Sequence, residues 1–439
     1  MNSTNAVKVG PITLAPGISR FNFWTFMYAS FICIAMLAGM NFLQPYLLAE
    51  HLKIPIDERG TLTGDLAFYT EIIAIVLIVP FGILSDRIGR RPLMIFGMVV
   101  IGIGYVLLPI AETASELISY RIFFAVGAAA LSAQLPTVGN DYPEERSRGR
   151  LFGFSGVLNG LGVIFMSAGL AQIPSILADR GMDPVEAGTA MFFGAAFLCF
   201  LSAFIYRIGL KGGAPIELKE RPDSWQLFLR GLKSARNPKI SLSYAAAFAG
   251  RSDNAIKGLF VSLWVLQVAP AAGLEGPAAF AKAGQLMGLM GLVTLVWMPF
   301  FGWIIDRINR VSGLALAMLL AGMGFSSMGL IDSPLYSSSI PFFVLLAIGQ
   351  GSAIVAASTL VGQEAPVKER GTIVATSGMF GAIGILLASV IGGRLFDSIG
   401  PHAPFVMTGI FQFVLMFAAI TIRFFQGSKD TQIQRPFSS

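Results

Sequence analysis

The chain has 439 residues, 54% of them hydrophobic and only 13% charged, with a formal net charge of +6. An ordinary globular chain carries roughly 25% charged residues, so there is too little polar surface here to cover aqueous cores of this size. That excludes a soluble enzyme and a disordered chain, and the placement of the basic residues argues against a nucleic-acid partner.

The first twenty residues are polar and interrupted by Pro11 and Pro16, unlike a signal peptide. Twelve mainly apolar stretches follow, each near the roughly 20 residues that a membrane helix needs. They are Phe23–Leu48, Thr61–Leu84, Leu93–Ala111, Leu117–Val138, Arg150–Ile173 and Ala190–Tyr206, then Ser241–Val268, Ala281–Ile304, Leu314–Ile331, Ile340–Leu360, Thr372–Ile391 and Phe405–Phe424. The expected organisation is an all-α membrane protein of 12 transmembrane helices in two pseudo-symmetric six-helix bundles. An N-terminal tail (1–22) precedes the first bundle (23–206), a central loop (207–240) leads to the second (241–425), and a tail (426–439) closes the chain. Within the loop, Asp223–Leu232 places large apolar groups at helical spacing with Arg230 beside them, as an interfacial amphipathic helix would.

With the N-terminus inside, 23 of the 31 Lys and Arg residues fall on the inner side and five on the outer. This is the positive-inside pattern, so both termini are expected in the cytoplasm, and the positive net charge reflects topology. The halves repeat. Gly82, Asp86, Arg87 and Arg90 recur as Gly302, Asp306, Arg307 and Arg310, and Gly127, Ser155 and Gly162 recur as Gly349, Ser377 and Gly384. Six spans separate the copies, so both have the same orientation, a parallel repeat about an axis along the membrane normal.

The run Gly82-Ile-Leu-Ser-Asp86-Arg87-Ile-Gly89-Arg90-Arg91 resembles the loop 2–3 signature of the major facilitator superfamily. Span count, repeat and central loop extend the resemblance over the whole chain. It implies alternating access, and a cytoplasmic gate in which Asp86 caps the eleventh span and Asp306 the fifth. The gate residues are then Gly82, Asp86, Arg87, Gly89, Arg90, Arg91, Asp306, Arg307 and Arg310. Asn309 stands at the equivalent of Gly89 and Val311 at that of Arg91, so the first copy is expected to be the stronger latch. Leu117, Arg121 and Gly127 partly resemble the fourth-helix motif of proton-coupled members. The fifth span lacks the Gly-Pro pair of drug antiporters.

Six ionisable residues fall within spans, which makes them functional candidates. At 1.5 Å per residue, Asp65 and Arg121 both lie about 6 Å in from the outer side, matched in depth for pairing, and Glu71 lies about 15 Å in. Low-dielectric surroundings favour the neutral form of a carboxylic acid, which makes Glu71 the leading proton-coupling candidate, with Asp253 its rival and Asp65 a third. Asp253 and Lys257 are four apart on one helix face, the spacing of an intrahelical ion pair. Arg251 falls near the opposite face, available to Glu71 or to an anionic solute. Arg121, Arg251, Lys257, Asn41, Gln44, Gln134 and Gln350 are the substrate-cavity candidates; Gly153, Gly156, Gly160, Gly284 and Gly288 suit close helix packing.

Cys33 and Cys199 lie in apolar runs, and His51 and His402 are far apart, so neither a disulfide nor a metal site is expected. No phosphate-loop motif occurs, and no nucleophile–base set, so the chain does not read as an enzyme and needs no cofactor beyond a proton gradient. The reading is a proton-coupled symporter or antiporter of a small organic solute, leaning to an anion or zwitterion. It is expected to act as a monomer in the lipid bilayer of a bacterial inner membrane. The alternatives are an exporter of drugs or of amphipathic lipids such as lysolipids, and a non-transporting membrane sensor on the same scaffold.

Overall fold

The computed structural model describes residues 7–213, 229, 231–364 and 370–433, with the side chains of 362–363, 370 and 426–433 outside the description. The amphipathic segment Asp223–Leu232 lies almost wholly outside the described residues; at its end, the Tyr244 hydroxyl donates to the Gly231 carbonyl at 2.9 Å. A two-stranded hairpin, β1 (Lys8–Val9) and β2 (Ile12–Thr13), is followed by α1 (Arg20–Tyr46), α2 (Arg59–Ile88), α3 (Arg90–Leu107), α4 (Ala114–Asp141), α5 (Arg148–Ile164), the short α6 (Ile173–Ala178) and α7 (Pro184–Gly209). Then come α8 (Pro238–Val268), α9 (Gly276–Ile305), α10 (Arg310–Ser326), α11 (Ile340–Glu364), α12 (Arg370–Ser398) and α13 (Ala403–Ile433).

Eleven helical stretches among the described residues are long and apolar enough to cross a membrane. The remaining long helix, α8, carries Arg251, Asp253 and Lys257 along its 31 residues. That length rises about 46 Å, beyond the roughly 30 Å of a hydrocarbon core. The spans start and end a few residues outside the apolar stretches. Helix propensity and capping continue past the point where hydropathy falls, as at Ser19, whose hydroxyl accepts the Asn22 N–H to open α1.

The chain divides into two compact units, residues 1–219 with 261–291, and residues 220–260 with 292–439. In the first, α3 packs on α4 and α7, α2 on α4, and α1 on α5. In the second, α10 packs on α11 and α13. In the repeat, α3 of one unit and α10 of the other thus rest on corresponding neighbours. The repeated glycines mark corresponding crossings. A Cβ on Gly127 would sit 2.7 Å from the Gly97 carbonyl oxygen, and one on Gly349 would sit 2.5 Å from that of Leu320. A Cβ on Gly162 would meet the Phe31 oxygen at 2.2 Å, and one on Gly384 the Phe248 oxygen at 2.4 Å. Glycine recurs at these offsets because backbone must touch backbone there.

The other glycines divide. Gly284 and Gly288 abut Ser167 and Ala168, where the helix after α5 widens into a π turn over Phe165–Gly169. Gly153 and Gly156, expected to serve close packing, have open space where a Cβ would be. An apolar stripe of small residues fits either situation, so spacing alone does not separate them.

The N-terminal segment is more than a tail. Gly10 at φ +54° and Pro11 form a two-residue turn between β1 and β2, as expected of glycine at the first central position of a II′ hairpin. Ile12 and Leu14 are buried, and the Ala15 N–H donates to the Tyr142 carbonyl at 2.9 Å.

Candidate functional site

Each unit buries its own polar cluster. In the first, Thr113 caps α4, its hydroxyl accepting the Glu116 N–H at 3.2 Å, and the helix carries Arg121 two turns further into the protein. Arg121 is 2% exposed. Its Nη2 donates to Asn41 Oδ1 on α1 at 2.5 Å, and its Cζ lies 5.1 Å from the Phe124 ring centroid. Phe124 is held edge-on by Tyr105 at 5.6 Å, whose hydroxyl donates to the Met36 carbonyl at 2.7 Å. Nε and Nη1 of Arg121 have no hydrogen-bond partner. The pairing with Asp65 expected from depth is therefore not made. Matching depth does not fix direction around the helix, and Asn41 occupies the position Arg121 points to.

Gln44, on α1 three residues beyond Asn41, is buried with neither amide atom hydrogen-bonded. Gln134 Nε2 donates weakly to the Phe81 carbonyl at 3.4 Å, and its Oε1 has no partner. Asp65 and Glu71, both on α2, are partly buried, and each engages a neighbour. An unsatisfied buried donor costs on the order of 1–3 kcal/mol, so Arg121, Gln44 and Gln134 together leave this unit with a deficit that water or a solute would relieve.

The second unit is arranged differently. Asn237 accepts the Lys239 N–H at 3.0 Å and Pro238 opens α8, a pairing suited to a helix start. Asp253 is fully buried, and Gln412 Nε2 from α13 donates to both carboxylate oxygens, at 2.7 and 2.6 Å. One turn on, the Lys257 ammonium donates to Gln350 Oε1 on α11, and Gln350 Nε2 donates back to Asn254 Oδ1 at 3.0 Å. No Asp253–Lys257 ion pair is made within 4 Å. The i,i+4 spacing is present, but each charge turns to an amide on a different helix. Arg251 is exposed and runs its stem past Gly381 on α12. Gln412, Asn254 and Tyr105 are the cluster members that the sequence reading did not single out. For Gln412 the signal was a lone amide inside an apolar run.

At the signature loop, Arg90 ties Asp86 at 2.6 Å, Asp141 at 3.1 Å and the Ser85 hydroxyl at 3.0 Å. Ser85 in turn donates to the Gly82 carbonyl at 3.1 Å. Gly89, at φ +96°, ends α2 and begins α3, a conformation that L side chains rarely adopt. Arg91 reaches the Arg207 carbonyl at 3.4 Å, and Arg87 is exposed. In the second copy, Arg310 pairs with Asp306 at 2.8 Å and donates to the Ile305 carbonyl at 2.8 Å. Arg307 lies 3.4 Å over the Trp303 ring. Among the described residues, no three His, Cys, Asp or Glu side chains are placed to hold a metal ion.

The chain is 28% identical over 405 residues to the magnetosome protein MamH of Paramagnetospirillum magneticum, covering 90% of each. It is also 28% identical to MamZ of the same organism, where it spans 88% of its own length and 60% of the relative's. The fold superposes on a crystal structure of the nucleoside transporter NupG with a TM-score of 0.73 at 11% identity, covering 91% of this chain and 99% of that one. The Major Facilitator Superfamily model matches residues 26–385 and 280–437, and with apolar helices, parallel repeat and loop signature in agreement the chain belongs to that superfamily of membrane transporters.

Proposed function

We propose that the chain is a proton-coupled secondary transporter of a small organic anion or zwitterion. Twelve spans in two bundles, 23–206 and 241–425, alternate access in a bacterial inner membrane, with both termini and the central loop on the cytoplasmic side. The observation that carries the reading is Arg121, a buried guanidinium with Nε and Nη1 unbonded. A carboxylate or phosphate accepts two parallel N–H bonds from such a group and neutralises it. A neutral solute would meet the hydrogen bonds but not the charge.

Coupling is assigned to Asp253. A carboxylate with no exposed surface must be either charge-balanced or protonated, and Lys257 one turn away supplies the balance. Proton uptake at Asp253 would leave Lys257 in need of a counter-charge, which links protonation to an anionic solute. Glu71 is the rival in the other unit. Proteoliposomes with an imposed pH gradient test the reading. Solutes that raise thermal stability of the purified protein by mass action are supplied, and accumulation is followed. Asp253→Asn should retain solute exchange and lose gradient-driven accumulation, while Glu71→Gln keeps both. The opposite result moves coupling to Glu71. Stabilisation by neutral solutes as strong as by anionic ones removes the role given to Arg121.

A further inference from the structure

Away from the two polar clusters, the N-terminal hairpin, the loop between α4 and α5 and the first turn of α5 line a pocket of about 390 Å³. Its lining includes Lys8 from β1, Arg146 and Ser147 from the loop, and Arg150 from the first turn of α5, and no acidic residue. The walls are fixed in place. Ser147 Oγ, 2% exposed, accepts the Thr13 N–H at 3.0 Å. The Glu144 N–H donates to the Thr13 carbonyl at 2.9 Å, and Arg150 Nη1 donates to the Pro11 carbonyl at 2.8 Å. Two of the cations hold no part of the hairpin. Lys8 makes no hydrogen bond or ion pair among the described residues. Arg146 has an 80% exposed side chain, and its contacts are both to Glu144 Oε2, at 3.2 Å. The neighbouring Glu145 is occupied by Arg148 at 3.0 Å.

We propose that this pocket binds a phosphate group. Three cations from two chain segments surround a volume several times that of a phosphate ion, which leaves room for the glycerol or sugar to which a phosphate is esterified. A tetrahedral anion accepts hydrogen bonds from several directions at once, as a planar carboxylate does not. The site lies at the first turn of α5, and a short connection leads from the hairpin to the start of α1. At the start of that helix Phe21 and Trp24 are 57% and 62% exposed, in keeping with the aromatic girdle of an interface. An anionic phospholipid headgroup and a phosphorylated solute share this chemistry. A bound phosphate would clamp the segment ahead of the first span to the start of the fifth.

The test uses the full chain in detergent. Thermal unfolding is followed while titrating short-chain phosphatidylglycerol, short-chain phosphatidylcholine or inorganic phosphate. Lys8→Gln with Arg146→Gln removes two cations that hold no part of the hairpin. Lys233→Gln with Arg236→Gln, at two exposed positions elsewhere in the chain, is the charge-matched control. The pocket pair should weaken the stabilising ligand by about tenfold or more, given what each basic side chain contributes near an anionic surface, and the control pair by under about twofold. Stabilisation by phosphatidylglycerol alone identifies a lipid headgroup, and stabilisation by inorganic phosphate as well identifies a free phosphate compound. No stabilisation by either, or equal weakening by both variant pairs, overturns the proposal.

Discussion

The two units bury polar side chains in opposite ways. On α8, Asp253 and Lys257 put opposite charges one turn apart, and each is finished by an amide from another helix, Gln412 and Gln350. On α4, Arg121 puts a single charge against one amide and a ring, with two nitrogens unbonded. The first arrangement is closed, its hydrogen bonds met except for Gln412 Oε1. The second is open. A closed cluster suits a group whose charge is regulated from within, and an open one suits a group awaiting a ligand. The proposed division of labour between coupling and recognition rests on that difference.

The largest expected effect comes from unbalancing the closed cluster. Asp253→Leu strands the Lys257 ammonium and the Gln412 amide, and breaking a buried charge set by removing one member costs about 3–5 kcal/mol. Thermal unfolding in detergent should show it. Adding Lys257→Met removes the stranded charge and should recover much of the loss, since coupled sites depart from additivity. If the double variant is as unstable as the sum of its parts, the cluster is not balanced as described.

Arg121→Met probes the open cluster and should behave in the opposite way. Replacing an incompletely bonded buried cation with an apolar side chain is often neutral or stabilising, so unfolding should shift by less than about 1 kcal/mol or rise. Affinity for an anionic solute should fall roughly thirtyfold or more, the scale of losing a desolvated charge partner. A matching loss for a neutral analogue would mean that Arg121 supports structure only.

The contrast also marks what the sequence discloses. The apolar runs, the repeat offsets and the loop signature specify spans and family because hydropathy and spacing are local properties. Arg121, Asp253 and Lys257 stand out because charge in an apolar run is conspicuous. Which partner each one takes does not. Asp65 and Arg121 match in depth and Asp253 and Lys257 in spacing, yet the hydrogen bonds go to Asn41, Gln412 and Gln350, chosen by how each helix is rotated against its neighbours. The N-terminal hairpin escaped for a related reason. Its strands are two residues long and are stabilised by Tyr142, Glu144 and Ser147, more than 120 positions away.

The two copies of the loop signature repeat the comparison on a smaller scale. In the first, Arg90 gathers Asp86, Asp141 and Ser85, with Arg90 and Asp86 side chains 17% and 22% exposed. Asp86→Asn removes the charge from a mostly shielded pair, and a hydrogen bond to a charged group contributes about 1.5–3 kcal/mol. The loss should register in thermal unfolding and in greater cysteine labelling at Ser85→Cys.

The smallest effect is expected from the corresponding change in the second copy. Asp306 is 67% exposed and pairs with Arg310; solvent-exposed pairs contribute about 0.2–1 kcal/mol. The turn itself does not depend on it. Asn309, standing where the first copy has Gly89, takes φ −59° and caps α10, accepting the Val311 and Ser312 N–H groups. Val311, standing where the first copy has Arg91, is buried in the core against Leu314 and Ile305. The second loop has thus exchanged a glycine turn and a polar strut for a side-chain cap and an apolar plug. Asp306→Asn should move unfolding by under about 0.5 kcal/mol, whereas Asn309→Ala, which removes the cap, should cost about 1 kcal/mol. A loss at Asp306 as large as that at Asp86 would show that this carboxylate acts beyond its own loop.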